Sequence, residues 1–451
     1  MFASRQDNMD IEYEHRTIHY VFLRTIHQGL LPRYSDIQNE LKPFLSDYAI
    51  SDEALIRQIV TYVPVSLFPT PMPKAVFFQA LALQTHYNTL VDKISQDPDF
   101  LQDALASTIA VDDFTARLFR IHQEILKEGR SQNIVLGLNR SDYMLDQRED
   151  GTSSLKQIEI NTFAASLGGL SSRMPDLHRA VVMFLVEDNS RNIFDQRYVE
   201  CELWKRNIPT TRKRFDNVFT TGSLDQDKRL FVHDLEVGVV YFRHGYMPQH
   251  YLSEKCWDAR LLIERSLAVK CPDISTHLAG TKKVQQVLAK PGVLEKFFPD
   301  QPQVAEQIRA TFAGLYTLEM GPEGDKTIAR ALTSPDRFVL NPQRKGGGNN
   351  MYGSEICDVL EEIKESTERM AYILMDKILP TPSKNYLLIQ DSPLQITNCL
   401  SELGAFGAYV RRGKEMVINE CVGHLLRTKS SEQLEGHVLV GLAVLDNPLP
   451  I

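Results

Sequence analysis

Residues 341–353 read Asn341-Pro342-Gln343-Arg344-Lys345-Gly346-Gly347-Gly348-Asn349-Asn350-Met351-Tyr352-Gly353, a glycine-rich loop from which the rest of the chain can be interpreted. Three consecutive glycines allow the backbone to approach a ligand closely, with N–H groups free to face it. Arg344 and Lys345 add positive charge. The loop is therefore predicted to cover an anion such as a nucleotide phosphate. A surface turn that needs positive φ at its glycines is the alternative interpretation.

The segments on either side place this loop between a strand and a helix. Residues 338–340 form a short apolar run that is typical of a buried strand. After the loop, Ser354 stands where a residue could cap a helix. The apolar residues that follow recur at helical spacing: Ile356, Val359, Leu360 and Ile363. No Gly-Lys-Ser/Thr follows the glycines, which excludes a Walker A loop.

Composition limits the classes of function. The chain has 451 residues, enough for two to three domains, with 50 basic against 58 acidic residues and a net charge of −8. This balance argues against a nucleic-acid-coating protein. The six cysteines are scattered without a CxxC pair, which predicts reduced thiols in a cytoplasmic protein. No apolar run is long enough to span a bilayer, so we expect no membrane association.

The segment 156–161 is the clearest candidate for metal binding. It alternates so that Gln157, Glu159 and Asn161 share one face of a strand. A carboxylate and an amide oxygen on one face suit Mg²⁺, although a wet face of a half-exposed strand would look the same. Just before it, residues 134–136 predict a strand that delivers the polar segment 139–143 to its end. A hairpin turn is the alternative there.

From Val181 onwards, strands and helices alternate, which predicts a small α/β domain. Arg243 at a predicted strand end could hold a carboxylate or form a surface ion pair. Further on, Lys282 opens a predicted helix, where its charge opposes the helix dipole and calls for a solvent or ligand explanation. Residues 372–378 predict a strand that could offer an apolar slot and edge backbone groups to a flat ring, or belong simply to the core.

The chain resembles the eukaryotic-type glutathione synthetases, which are ATP-grasp ligases. The resemblance covers most of the length and is most specific in three motifs: Leu136-Gly137-Leu138-Asn139-Arg140-Ser141-Asp142-Tyr143, Gln157-Ile158-Glu159-Ile160-Asn161-Thr162 and Leu425-Leu426-Arg427-Thr428-Lys429. It implies an α/β (α+β) chain with the ATP-grasp fold. It also implies a reaction in which ATP, γ-glutamylcysteine and glycine give glutathione, ADP and phosphate through an acyl phosphate, with Mg²⁺ as cofactor and a homodimer as the assembly.

The expected domains are a helical and first ATP-grasp part at 1–179, a small α/β substrate domain at 180–281, and the ATP-grasp lid and C-terminal part at 282–451. The resemblance assigns catalytic roles to Arg140 and Arg427 and metal binding to Glu159 and Asn161. The implied ATP site comprises Glu159, Lys282, Gln343, Arg344, Lys345, Gly346, Gly347, Gly348, Asn349, Asn350, Tyr352, Met375, Asp376, Lys377, Ile378, Glu402, Lys429 and Glu435. The implied substrate site comprises Arg140, Phe163, Ala164, Ala165, Ser166, Ser190, Arg191, Asn192, Gln196, Arg243, His244, Gly245, Tyr246, Arg427, Val438 and Leu439.

The chain departs from the family at several of these positions. Asn341 replaces the lysine that begins the family's loop, and Lys345 replaces its glutamate, which is a third metal ligand in the family. An ammonium cannot ligate a metal ion. His437 and Leu439 add bulk to the C-terminal loop, Ala164 stands where the family often has a hydroxyl, and the connection before Arg191 is shorter.

Two hypotheses from different classes follow. The first is a working glutathione synthetase, with turnover reduced by these departures. The second is a diverged paralogue that binds ligands or regulates, with little or no turnover. A ligase with a changed acceptor amino acid is a further alternative.

Overall fold

The computed structural model describes residues 65–66, 70–147, 153–165, 181–187, 193–206, 208–342, 350–389, 396–432 and 443–450. The chain divides into two compact units, Met1–Tyr62 and Val63–Ile451, and every described residue belongs to the second. The predicted helical part before Tyr62 therefore lies outside the described residues. No helix among the described ranges is both long and apolar enough to cross a lipid bilayer.

The helices surround the sheets and pack on them. They are α1 (Lys74–Ser95), α2 (Pro98–Val111), α3 (Asp113–Glu128), α4 (Ile193–Trp204), α5 (Phe215–Thr221), α6 (Glu254–Arg265), α7 (Ile274–Ala279), α8 (Lys282–Leu288), α9 (Pro302–Ala310), α10 (Pro322–Thr333) and α11 (Ser354–Ile363). Short 3-10 helices occupy Pro248–His250, Leu294–Phe297, Pro335–Arg337 and Thr367–Ala371. The Asp112 carboxylate caps α3 by accepting a hydrogen bond from the Thr115 amide at 2.8 Å. In α11 the cap position is Gly353, and Ser354 is the first helical residue, so the predicted serine cap is wrong.

The largest sheet has seven strands. They are β1 (Val65–Ser66), β3 (Ile134–Gln147), β4 (Ser153–Asn161), β14 (Ser383–Leu388), β15 (Ile396–Arg412), β16 (Glu415–Ser430) and β17 (Val444–Asp446), in the order β14-β1-β17-β16-β15-β3-β4. Because β14 also pairs with β15, part of this sheet closes on itself. A separate two-stranded sheet joins β2 (Thr70–Met72) to β18 (Pro448–Pro450).

The length of β3 corrects the prediction for the polar segment 139–143. This segment lies within the strand, between β15 and β4, and neither at a strand end nor in a hairpin turn. The strand continues through these polar residues because they find hydrogen-bond partners: Arg140 donates to Asp142 of the same strand, and Asn161 of the neighbouring β4 also donates to Asp142. The glycine opposite Asp142, Gly404, leaves room for them.

The second sheet has six strands and lies between Val181 and Cys271. Its strands are β5 (Val181–Leu185), β6 (Thr210–Lys213), β7 (Gly222–Leu224), β8 (Leu230–Val232), β9 (Leu235–Phe242) and β10 (Val269–Cys271), ordered β6-β5-β9-β8-β7 with β10 also on β9. Every residue of β5 is buried, as its continuous apolar run predicts. These strands fall within the predicted small α/β domain, whose boundaries at 180 and 281 stay a prediction.

A third sheet contains β11 (Leu315–Tyr316), β12 (Phe338–Pro342) and β13 (Tyr372–Asp376) in the order β11-β13-β12. Because β13 is the central strand, the interpretation that residues 372–378 offer free edge groups is wrong for the paired part. The strand also ends at Asp376, so Lys377 and Ile378 follow it rather than belong to it.

The main hydrophobic core lies between the largest sheet and helices α1, α2 and α3. Helix α1 packs on β15 and β16, and α2 packs on α3. Leu101 and Leu105 of α2 are fully buried there. Burying a leucine side chain stabilises a fold by about 1.5–3 kcal/mol, so this layer fixes the sheet on which the polar residues stand.

Candidate active site

Four strands of the largest sheet carry a group of charged side chains. Register places Arg140 of β3 opposite Asn161 of β4, and Asp142 opposite Glu159. Likewise Glu402 of β15 lies opposite Arg427 of β16. Side chains that alternate along a strand return to the same face every second residue. The sheet thus brings into hydrogen-bond contact residues that are up to 285 positions apart in the chain.

Asp142 is the centre of this group. Its carboxylate accepts hydrogen bonds from Arg140 Nε at 2.7 Å and from Arg140 Nη2 at 2.9 Å. It also accepts from Asn161 Nδ2 at 3.0 Å and from Arg427 Nη2 at 3.2 Å. Only 1% of Asp142 is exposed. A carboxylate that accepts from two guanidinium groups holds both of them in a defined orientation.

Arg427 is shared between two carboxylates. Its Nη2 donates to Asp142 and also to Glu402 Oε1. Burial alone would lower the pKa of the Arg427 guanidinium, but the Glu402 and Asp142 carboxylates raise it above its ordinary value. Arg427 therefore carries a permanent positive charge in this group.

Glu159 is held between a lysine and an amide. Lys282 Nζ donates to Glu159 Oε2 at 2.8 Å, and Asn161 Nδ2 donates to Oε1 at 3.1 Å. Burial raises the pKa of the Glu159 carboxyl, but the Lys282 ammonium and these hydrogen bonds outweigh it and hold that pKa well below its ordinary value. Lys282 is the first residue of α8, so the carboxylate of Glu159 explains why a cation is tolerated there.

Glu159 and Asn161 are oxygen donors on one face, as their alternation predicts. Asn161 uses Nδ2 for its bonds to Asp142 and Glu159, which leaves its Oδ1 as the atom able to face a cation. Carboxylate and amide oxygens are suitable ligands for a hard divalent ion, and phosphate oxygens can complete its coordination. The residues therefore fit a hard divalent cation bound together with phosphate oxygens.

Another set of potential metal ligands lies just after strands β5 and β9 of the second, six-stranded sheet. Ligand atoms of Glu187, His244 and His250 lie within 4.8 Å of one another. However, His250 Nδ1 accepts a hydrogen bond from the Gly245 amide at 2.9 Å, so the neutral ring carries its proton on Nε2. Burial, and His244 nearby, lower the pKa of His250 to about 3. In this arrangement His250 offers no lone pair to an ion.

Several of the residues predicted for the nucleotide lie on or beside the third sheet. Met375 is buried in β13, and Asp376 accepts a hydrogen bond from the Tyr316 hydroxyl at 3.1 Å. The amides of Asp376 and Lys377 each donate at 2.8 Å, to Gly314 and Arg337 respectively. Asn341 is buried in β12, and its Nδ2 has no hydrogen-bond partner among the described residues.

Other predicted nucleotide residues are placed as follows. Asn350 and Tyr352 flank Met351, which forms an antiparallel bridge with Leu340 of β12. Ile378 follows the end of β13, and Lys429 lies on β16 opposite Leu400. They are therefore spread between the third sheet and the largest sheet.

Several of the predicted substrate residues lie where β4 and β9 end. Phe163 is buried, and its ring centroid lies 5.8 Å from that of Tyr246. Arg243 directly follows β9, is 4% exposed, and lies near the Tyr241 ring, 5.8 Å from its centroid. Ala164 has φ 47° and Gly245 has φ 107°, so both loops turn sharply here.

The other described members of the predicted substrate site are Ala165, Gln196 and His244. Gln196 lies on α4, buried, and accepts a hydrogen bond from Arg212 Nη2 at 2.5 Å. Ala165 and His244 are half-buried in the two loops. The predicted residues outside the described ones are Gln343, Arg344, Lys345, Gly346, Gly347, Gly348, Asn349, Ser166, Ser190, Arg191, Asn192, Glu435, Val438 and Leu439.

Sequence reasoning overlooked Asp142. The residue stands in a motif that was singled out. Because β3 was predicted to end near Leu136, however, Asp142 and Arg140 were not expected to share a face of one strand. Extending the strand by the same rule used for β4 would have placed both on one face.

Comparison with known proteins gives a consistent result. The profile of the family described as "Eukaryotic glutathione synthase, ATP binding domain" matches residues 36–449. The glutathione synthetase of Bos taurus is 50% identical over 452 residues, covering 90% of this chain and 95% of the relative. That of Homo sapiens is 51% identical over 440 residues, covering 89% and 93%.

More distant relatives agree. The chloroplastic glutathione synthetase of Arabidopsis thaliana is 40% identical over 430 residues, covering 86% of this chain and 78% of the relative. A solved structure of a glutathione synthetase-like effector from Globodera pallida in its apo form has a TM-score of 0.67 at 23% identity. It covers 87% of this chain and 91% of that one. At this identity the likeness concerns the fold.

Proposed function

The chain belongs to the eukaryotic glutathione synthetase family, and on this premise we propose how its residues carry out the reaction. It is an ATP-dependent ligase of glutathione synthesis whose substrates are ATP, γ-glutamylcysteine and glycine. The expected fold class is confirmed as well, since sheets and helices are mixed as in its structural relative.

The two arginines act on the carboxylate that is activated. The cysteinyl carboxylate of γ-glutamylcysteine attacks the γ-phosphorus of ATP and ADP leaves. The glycine amine then attacks the acyl carbon, loses a proton, and phosphate leaves. Arg140 and Arg427 stabilise the negative charge on the transferred phosphoryl group and on the acyl oxygen. The observation that carries this proposal is that both guanidinium groups share the Asp142 carboxylate beside Glu159 and Asn161.

Glu159 and Asn161 would hold Mg²⁺. The ion would neutralise charge on the ATP phosphates during transfer. Lys282, whose ammonium lies against Glu159, keeps that carboxylate ionised and reaches towards the same phosphates. On the substrate side, Arg243 binds a carboxylate of γ-glutamylcysteine, with Phe163 and Tyr246 as the apolar wall.

The departures in the glycine loop reduce turnover without abolishing it. Asn341 offers a neutral amide where the family has a lysine, and its buried Nδ2 has no hydrogen-bond partner among the described residues. Lys345 supplies the lost positive charge but removes a metal ligand. The diverged, ligand-binding paralogue stays the second candidate because both changes fall on the nucleotide loop.

The test is ADP release and glutathione formation, measured with Mg-ATP, γ-glutamylcysteine and glycine. Unmodified protein is compared with Asn341→Lys, Lys345→Glu and the double variant. We expect turnover in the unmodified protein and a gain of about tenfold in the double variant, the effect of one well-placed charged contact. Glutathione identified by mass, with alanine in place of glycine as a control, excludes a changed acceptor.

If none of the four proteins releases ADP or forms glutathione while γ-glutamylcysteine still binds, the paralogue is favoured. We also propose a homodimer, as the family resemblance implies, and a cytoplasmic location, as the scattered cysteines indicate. Light scattering behind a sizing column measures the mass, and a monomer at micromolar concentration would contradict the dimer.

A further inference from the structure

Asp142 belongs to neither the arginine pair nor the metal ligands, yet it contacts members of both. Its carboxylate accepts hydrogen bonds from Arg140, Arg427 and Asn161 while itself being almost fully buried. We propose that Asp142 is a positioning residue that fixes the two catalytic arginines and the metal-binding asparagine in one arrangement before substrates bind. The proposal rests on the proposed function of those three residues.

The hydrogen bonds between Asp142 and Arg140 fix the orientation of the Arg140 guanidinium. Asp142 takes the Nε and Nη2 edge of this guanidinium in two parallel hydrogen bonds of 2.7 and 2.9 Å. A guanidinium held by one edge cannot rotate, so its Nη1 end points in one direction. Arg140 is therefore held with its Nη1 end directed away from Asp142.

The same carboxylate links this arginine to the second one. Asp142 Oδ2 accepts from Arg140 Nη2, Arg427 Nη2 and Asn161 Nδ2 together. Arg427 comes from β16 and Asn161 from β4, the two strands that flank the β15–β3 pair in the sheet. One oxygen atom thus sets the separation of two cations that must close on the same small anion. Two cations so near each other would otherwise repel.

The sheet has made room for this arrangement at Gly404. This residue of β15 lies opposite Asp142, and a Cβ added there would lie 3.0 Å from Asp142 Oδ1 and 3.0 Å from Arg140 Cδ. Such contacts are tighter than normal packing, so the pair would have to shift by a few tenths of an ångström. Gly404→Ala is therefore a way to displace the pair without changing any charge.

A matched control exists on the opposite side of the same sheet. Asp92 of α1 is also buried, and its carboxylate accepts from Arg411 Nε at 2.7 Å. Asp92→Asn therefore removes the charge of a buried arginine-bound carboxylate without touching Arg140 or Arg427. It measures what the loss of such an ion pair does to stability alone.

The experiment compares Asp142→Asn, Gly404→Ala and Asp92→Asn with unmodified protein. Asparagine keeps the size of aspartate, but its NH₂ group faces the arginine donors and one of the two parallel bonds is lost. A displacement of about 1 Å in a catalytic group can cost about 100-fold in rate. We expect kcat/KM for γ-glutamylcysteine to fall about 100-fold in Asp142→Asn, mainly through kcat, and several-fold in Gly404→Ala.

The KM for ATP and the turnover of Asp92→Asn separate positioning from stability. We expect KM for ATP to change less than threefold in Asp142→Asn. Asp92→Asn should lower the melting temperature by about as much as Asp142→Asn does, yet keep kcat within threefold of the unmodified protein. Unchanged kcat in Asp142→Asn, or an equal loss in Asp92→Asn, would overturn the proposal.

A measurement without substrates tests whether Asp142 holds Arg140, independently of the proposed function. The Nε–H of Arg140 bonded to Asp142 should give a slowly exchanging ¹⁵N resonance, assigned by its absence in Arg140→Lys. In Gly404→Ala, and in Asp142→Asn where it folds, that resonance should exchange with water at least tenfold faster. If unmodified protein makes no glutathione, the proposed function fails, while the resonance still decides whether Asp142 holds Arg140. Unchanged exchange would refute the positioning role.

Discussion

At the scale of single residues, the candidate site is a balance of charges. Arg140, Arg427 and Lys282 face Asp142, Glu159 and Glu402 over the same sheet surface. Each side chain is neutralised by its neighbours, so Arg140 and Asp142 can be buried, and the others half-buried, before substrates arrive. An incoming phosphate must then compete with these carboxylates for the cations.

The ion pair between Lys282 and Glu159 leads to a pH-dependent prediction. In Lys282→Met, burial is no longer outweighed by the ammonium, so the pKa of the Glu159 carboxyl rises. A carboxylate with a lowered pKa stays ionised as the pH falls, and this advantage is lost when its pKa rises. We expect the acid side of the kcat/KM profile of the variant to move to higher pH.

Lys283→Met is the matched control for that profile. Lys283 is the next residue of α8 and pairs with Glu319, away from the charged group. It should lower stability and leave the shape of the pH profile unchanged. An acid limb that moves equally in both variants would contradict the assignment to Glu159.

At the scale of elements, the contact between α1 and β15 depends on a glycine. A Cβ added at Gly407 would lie 2.6 Å from Gln84 Nε2 and 2.7 Å from Asn88 Nδ2 of α1. Asn88 in turn donates to Asn419 Oδ1 at 2.9 Å, so it cannot move without breaking a buried bond. The absence of a side chain lets helix and sheet approach through polar groups.

We expect Gly407→Ala to lower the free energy of unfolding by about 1–3 kcal/mol, the usual cost of overpacking. Urea denaturation of the single variants and of Gly407→Ala with Asn88→Ala measures it. Because truncating Asn88 removes part of the clash, the double variant should lose less than the sum of the single losses. Simple additivity would show that the clash is not the cause.

Elements also show what could be read from the sequence. Strand β4 was predicted because apolar and polar residues alternate over 156–161, and the buried run of β5 was equally clear. By contrast, β3 was cut short at its polar residues, because their burial depends on partners from β4, β15 and β16 that no local pattern reveals. The central position of β13 was overlooked for the same reason, since β11 and β12 reach it from distant positions.

At the scale of the whole molecule, buried histidines couple folding to pH. His122 is 1% exposed, and burial, with Arg130 nearby, lowers its pKa to about 4. The unfolded chain binds a proton near the ordinary value of 6.5, whereas the folded chain does not. The contribution of His122 to the free energy of unfolding is fully present above pH 6.5 and is lost as the pH falls towards 4.

His122→Gln should remove this dependence. We expect the free energy of unfolding of unmodified protein to fall, relative to the variant, by about 1.4 kcal/mol per pH unit between pH 6.5 and 4. Urea titrations at several pH values measure the difference, with His233→Gln, at an exposed histidine, as control. Parallel curves for unmodified protein and His122→Gln would refute the prediction.

The pairing of β1 with β17 and of β2 with β18 has a consequence for biosynthesis. Thr70 and Asp446, which are hydrogen-bonded to each other, are 376 positions apart. At about 5–20 residues per second, a ribosome needs roughly 20–75 s to make the chain between them. Through that interval β1 lacks its partner β17 and β2 lacks its partner β18. We therefore expect the largest sheet to close only after translation has passed residue 446, so that the nascent chain depends on chaperones while it waits.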